Sequence, residues 1–129
     1  MEANEIMLGD WVEHPKGRNR VTMIQDNDVI FTDYSDNIDG ACDIDKVKGI
    51  ALFKEFFEQN GFEKVSNDKE GGMLVYRCPA GFVYFFSDGT IRLEIINEEG
   101  FRNFDGDVQY VHELQQAFRL CGIKQEIIV

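Results

Sequence analysis

Cysteine is scarce, proline scarcer, and positive charge is badly outnumbered. The 129-residue chain holds three cysteines, two prolines, and 13 lysines and arginines against 24 acids, for a formal net charge of −11. Cys42, Cys78 and Cys121 are odd in number and far apart, with no C-x-x-C pair. A disulfide framework, a zinc ribbon and a dithiol redox motif are therefore excluded, and the three read as reduced, mostly buried small hydrophobes. The basic residues are scattered rather than gathered into a stripe. That argues against direct nucleic-acid binding and, with the net charge, against anionic membrane surfaces. The longest wholly apolar run is Phe82–Phe86, far below the roughly 20 residues of a spanning helix. Met1–Glu5 has neither the basic nor the apolar region of a signal peptide. The expectation is a cytoplasmic protein.

What the chain does have is core-forming material. Hydrophobic residues make up 43% and phenylalanine alone numbers 11, enough for one domain that buries roughly two-thirds of its unfolded surface. The pattern predicts an α+β fold. A short-stranded N-terminal β unit, SH3-like in size, comes first, with segments at Trp11-Val12, Val21–Ile24 and Val29–Thr32 separated by polar turns. Residues 33–45 read as an acidic loop. A helix over about Ile50–Asn60 carries Leu52, Phe53, Phe56 and Phe57 on one face. Gly61 is placed for a left-handed helix stop, and Phe62 to fold back on Phe57.

An antiparallel meander follows. Asp88-Gly89 predicts a two-residue type I′ turn, which pairs Phe86 with Ile91, Tyr84 with Leu93 and Phe82 with Ile95. Those six residues then form the core face. A three-residue Pro79–Gly81 loop would bring Leu74, Tyr76 and Cys78 onto the same face. Val75, Arg77, Val83, Phe85, Arg92 and Glu94 fall on the other, with Phe85 over Arg92 at cation–π distance. That second face is either covered by the N-terminal strands or a loop, or it is a surface for a protein partner or a second copy. A last helix from an Asp107 N-cap to Cys121 places Val108, Val111, Leu114, Phe118 and Cys121 on one stripe and ends at Gly122. Gln125–Val129 is a possible edge strand. The chain reads as one domain, 1–129, with possible subdomains 1–48 and 49–129 meeting near Val47–Ile50.

Reactive clusters are hard to find. There are two histidines: His14, before Pro15, is expected in a turn, and His112 lies one residue off the apolar stripe. Neither has metal ligands at local spacing. Ser35–Gly40 resembles the start of an EF-hand loop, but the first position is Ser35 and the twelfth is Lys46, where a bidentate Glu is needed. Asp36, Asp39 and Asp43 remain weak metal candidates only. Gly71-Gly72 does not lead into a helix and so is no phosphate cradle. Trp11 reads as a core anchor or, with Tyr34, as a peptide-binding aromatic pair. No catalytic or cofactor-binding residue is predicted.

Three islands carry a resemblance: Ala3–Ile6 with Leu8–Val12, Asn60-Gly61-Phe62, and Tyr110-Val111-His112-Glu113-Leu114-Gln115. Together they resemble a family of small bacterial proteins from prophage and mobile-element neighbourhoods, marked by a YVHELQ-type C-terminal helix. The resemblance implies an accessory protein and supplies no catalytic residues. It leaves His112, Glu113 and Gln115 as exposed candidates beside the helix stripe. The expected function is a non-enzymatic protein-interaction module whose partner is another protein or a second copy of the chain. Its interaction candidates are Val75, Phe85, Arg92, His112, Glu113 and Gln115. An acidic decoy of DNA is the alternative, and a hydrolase or metal-dependent enzyme the third reading.

Overall fold

Alternating short apolar segments and polar turns build two antiparallel sheets. The computed structural model describes residues 5–15, 17–26, 29–32, 41–66, 73–96 and 99–129. Two compact units emerge. The first contains residues up to Ala51 together with Tyr110–Gln116; the second contains Leu52–Gln109 and Ala117–Ile128. The α+β class expected from the sequence is what the chain adopts.

In the first unit, β1 (Trp11–His14), β2 (Gly17–Gln25), β3 (Val29–Thr32), β4 (Ala41–Asp43) and β5 (Lys48–Gly49) form a sheet of order β4-β3-β2-β1-β5. The first half of β2 pairs with β1 and the second half with β3. A register shift between Val21 and Met23 supplies the bend such a shared strand needs. A 3-10 turn, Ile44–Lys46, precedes β5. The result is a small antiparallel sheet of short strands, SH3-like in size as expected. Its core gathers Ile6, Val12, Val21, Ile44 and Val47. Residues 33–45 are expected to be one loop; Ala41–Asp43 instead pair with β3, and Ile44–Lys46 form the 3-10 turn that buries Ile44. Trp11 is only half-buried, with the Arg20 guanidinium 5.5 Å over its ring, so it is not the core anchor expected. Tyr34 lies outside the described residues.

In the second unit, helix α1 (Lys54–Gln59) is followed by β6 (Glu63–Ser66), β7 (Met73–Cys78), β8 (Gly81–Phe86), β9 (Ile91–Ile96) and β10 (Arg102–Asp107), in the order β10-β9-β8-β7-β6. The end of α1 follows the sequence reading closely. Gly61 has φ 81°. The Phe62 amide donates to the Phe57 carbonyl at 2.9 Å and the Gly61 amide to that of Glu58 at 3.2 Å. The Phe57 and Phe62 rings meet edge-on at 5.2 Å, which completes a Schellman stop. Helix α2 (Val111–Leu120) ends the same way, with the Ile123 amide bonded to the Phe118 carbonyl at 2.8 Å and Gly122 at φ 72°. Its N-cap lies three residues later than expected, at Tyr110, because Asp107 is the last residue of β10, paired with Arg92. β10 and β6 are the edge strands of this sheet; Gln125–Val129 forms none.

The meander differs from the sequence reading by one residue in β8. The turn between β8 and β9 has three residues, not two. The Phe86 amide donates to the Thr90 carbonyl at 2.9 Å, the Gly89 amide donates to the Phe86 carbonyl at 3.1 Å, and Gly89 sits at φ 90°. A type I turn closed by a left-handed glycine is the usual three-residue hairpin loop. The Asp88 carboxylate accepts from the Thr90 amide at 2.9 Å and holds it. The β7–β8 loop is correspondingly one residue shorter, pairing Cys78 with Gly81. The two errors cancel for β7 and β9: Leu74, Tyr76, Cys78, Ile91, Leu93 and Ile95 do share the packed face. For β8 they invert it, so Val83 and Phe85 point inward and Phe82, Tyr84 and Phe86 outward. Phe57 of α1 anchors this core, meeting Tyr76 at 5.8 Å and Phe85 at 5.3 Å.

Candidate functional site

The residues singled out in α2 are fastened inward. Tyr110 stands at the N-cap, and the Glu113 carboxylate reaches back to accept from its amide at 2.9 Å, one half of a capping box. His112 is 3% exposed and Gln115 8%, so neither is the exposed candidate expected; the stripe is wider than apolar residues alone define. Gln115 accepts from the Trp11 amide at 2.8 Å and donates to the Gly9 carbonyl at 3.1 Å. Gln116 donates to the buried Asp10 carboxylate at 2.8 Å and to the Glu5 carbonyl at 2.9 Å. Asp10 also accepts from the Met7 amide at 2.8 Å. All of this lies within the first unit, and it satisfies polar groups that burial would otherwise penalise. The Tyr110–Gln115 segment is thus a structural clamp on residues 5–11.

His112 lines a cleft of about 470 Å³ with Glu5, Val47, Lys48, Gly49 and Tyr110. The Tyr110 ring stacks on its imidazole at 5.6 Å, over Gly49, where a Cβ would come within 2.7 Å of that ring. Burial pushes the His112 pKa down, against the opposing pull of Asp10, Glu113 and Glu5. Its Nδ1 is buried and makes no hydrogen bond among the described residues. The residues lining this cleft with His112 include no serine, threonine or cysteine, so the lining offers the imidazole no aliphatic hydroxyl or thiol to activate. His14 is likewise buried.

Other chemistries find little footing. Among the described residues, no group of three His, Cys, Asp or Glu side chains is placed to hold a metal ion. Asp43 is an exposed residue of β4, while Asp36 and Asp39 lie outside the described residues. All three cysteines are free thiols. Burial raises the pKa of each, reinforced at Cys42 by the neighbouring Asp43, which keeps them protonated and poorly nucleophilic. No helix of the described residues is long and apolar enough to cross a membrane.

The outward face of the second sheet is a different kind of surface. Down the middle of β8 run Phe82, Tyr84 and Phe86, half-buried to exposed, the first two with ring centroids 6.2 Å apart. On one flank, Arg92 grips Asp105 through two bonds of 2.6 and 2.7 Å. Arg102 joins Glu94 at 3.0 Å and Asp105 at 3.3 Å. These arginines hold the Asp105 carboxyl below its usual range. Tyr84 donates to Glu94 at 3.4 Å; burial raises its pKa, and Glu94 raises it further. On the other flank stand Val75 and Arg77, the latter paired with Glu63 at 2.6 Å. Val75 and Arg92 therefore lie on this face, as expected. Phe85 does not: it packs under the sheet against Phe57 and Tyr76, and its expected stacking on Arg92 is replaced by the Arg92–Asp105 fork. The three outward aromatics were missed because the wrong turn length put them inside.

No family model, no curated protein and no solved structure matches this chain.

Proposed function

We propose that this protein is a non-catalytic interaction module that receives a basic protein segment on the outward face of its second sheet. The observation that carries the reading is the row Phe82–Tyr84–Phe86, three rings turned away from the core on a central strand. Aromatic side chains ringed by neutralised arginines are the composition of interface hot spots. Every arginine on this face already has a carboxylate partner, and Asp107, directly across from Arg92, adds a fourth acid to the three in those pairs, so a docking segment meets apolar rings and a slight excess of acid. The net charge of −11 steers cationic partners inward and sets two copies of the chain against each other. A basic partner is therefore favoured over self-association. The resemblance of Tyr110–Gln115 to the prophage and mobile-element family supports an accessory role, and three free thiols fit a reducing, cytoplasmic setting.

Selection from a random 12-residue peptide library on the immobilised full chain tests this. Enriched peptides should combine lysine or arginine with an aliphatic or aromatic anchor. Phe86→Asp should abolish their binding, while Met23→Asp, an exposed site on the other sheet, should leave it intact. Binding indifferent to Phe86 and released by about 0.5 M salt would mean that charge alone holds the partner, as in an acidic decoy of DNA. That result would overturn the reading.

A further inference from the structure

Positive charge is rare in this chain, and where it collects is informative. Across the first sheet Glu13 of β1 lies between Arg18 of β2 and Lys48 of β5, each its direct cross-strand partner. Lys46, at the end of the 3-10 turn, completes the cluster. These four, with His14, Pro15 and Gly17, line a cleft of about 270 Å³ beneath the β1–β2 turn. The cations are lightly engaged. Arg18 stands 3.6 Å from Glu13, beyond hydrogen-bond reach, with both side chains 47% exposed. Lys46 and Lys48 make no ion pair among the described residues. On the second sheet arginines make shorter contacts, a two-bond fork at Arg92–Asp105 and a single bond of 2.6 Å at Arg77–Glu63. Three cations facing one carboxylate leave two positive charges unanswered in a chain whose total is −11. Gly17 has φ 130°, and nothing lies within 4 Å of where its Cβ would stand, so the rim of the cleft is open.

We propose that this cleft binds the phosphate group of a small phosphomonoester. A phosphate dianion matches the two unanswered charges, and lysine and arginine donors are its usual partners. The volume falls below the roughly 300–1,000 Å³ of drug-sized ligand sites, which fits a phosphate carrying a few carbons rather than a nucleotide. Buried His14 gives the cleft a firm inner wall. The same chemistry is displayed by a phosphorylated protein segment, but the cleft is too small to seat a peptide along its length.

The test is an amide chemical-shift titration of the full chain with inorganic phosphate, glycerol 3-phosphate and a phosphoserine heptapeptide, with sodium chloride at matched ionic strength as reference. Saturable shifts at Gly17 and Lys48 in the millimolar range are expected with phosphate and glycerol 3-phosphate, and not with chloride. Lys46→Gln and Lys48→Gln should each weaken binding by about fivefold, as befits exposed charges, while Lys124→Gln changes nothing. Shifts that fail to saturate, that chloride reproduces, or that the two variants leave unaltered would overturn the site. A phosphopeptide binding tenfold tighter than glycerol 3-phosphate would overturn its assignment to a free small molecule.

Discussion

Replacing Phe85 and Phe82 separately by alanine distinguishes the two possible phases of β8. Phe85 points under the sheet, where its ring meets Phe57 at 5.3 Å and Tyr76 at 6.0 Å. Complete burial would put the cost of Phe→Ala at about 3–5 kcal/mol. Phe85 is partly exposed, so about 2–3 kcal/mol is expected, part of it from the two ring contacts. Phe82 faces outward and has one ring neighbour, Tyr84, at 6.2 Å; its loss should cost about 0.5–1 kcal/mol. The gap of about 2 kcal/mol is a ratio of roughly 30 in the unfolding constant. Urea unfolding followed by far-UV circular dichroism reads it directly. With a slope of about 2 kcal/mol/M, the Phe85→Ala midpoint should fall by about 1 M more than that of Phe82→Ala. A two-residue turn at Asp88-Gly89 would exchange the two positions. Equal costs, or a larger cost at Phe82, would refute the three-residue loop and with it the outward aromatic row.

Three further outcomes follow from the first unit. Gln115→Leu keeps the volume but removes the bonds to the Trp11 amide and the Gly9 carbonyl; a loss of about 2–4 kcal/mol is expected, with faster hydrogen exchange at the Trp11 amide. Glu113→Ala should cost about 1 kcal/mol through the lost bond to the Tyr110 amide, and Glu113→Gln, which keeps an acceptor oxygen, well under half of that; thermal unfolding of the pair checks the ranking. Burial depresses the His112 pKa below the ordinary imidazole value of about 6.5, so the unfolded chain takes up a proton that the folded chain refuses. Stability should therefore be unaffected by this group above about pH 7 and should decline as the pH falls through 6.5. His112→Gln should flatten that part of the stability–pH curve, and an unchanged slope would show that His112 does not contribute to it.

Local chemistry was legible in the sequence, and partnership across distance was not. Gly61 and Phe62 announce the end of α1 because the Schellman geometry involves six consecutive residues. The apolar positions of β7 and β9 read correctly because alternation fixes the face of a strand independently of its neighbours. β8 is apolar on both sides, Phe82-Val83-Tyr84-Phe85-Phe86, so alternation is silent there and the phase rests on turn length alone. Asp88-Gly89 resembles a two-residue turn unless Ser87 is counted into the loop. β10 escaped because Arg102–Asp107 carries one apolar side chain, Phe104, and is held by arginine–carboxylate forks instead. The link of Asp10 to Gln116 spans 106 positions, and no local pattern encodes it. A buried glutamine and a buried aspartate look like surface residues until a fold closes on them.

The first unit draws on two stretches of chain, ending at Ala51 and resuming at Tyr110. During synthesis, its β strands leave the ribosome well before the glutamines that secure residues 5–11. The 65 residues from Ala51 to Gln116 take roughly 3–13 s to translate at about 5–20 residues per second. For that interval the nascent Asp10 has no Gln116 to meet, although the strands that will surround it already exist. A stop codon introduced shortly after Ala51 would therefore yield a β unit lacking its clasp, whereas Leu52–Gln109 of the second unit leaves the ribosome before that clasp and Ala117–Ile128 only after it.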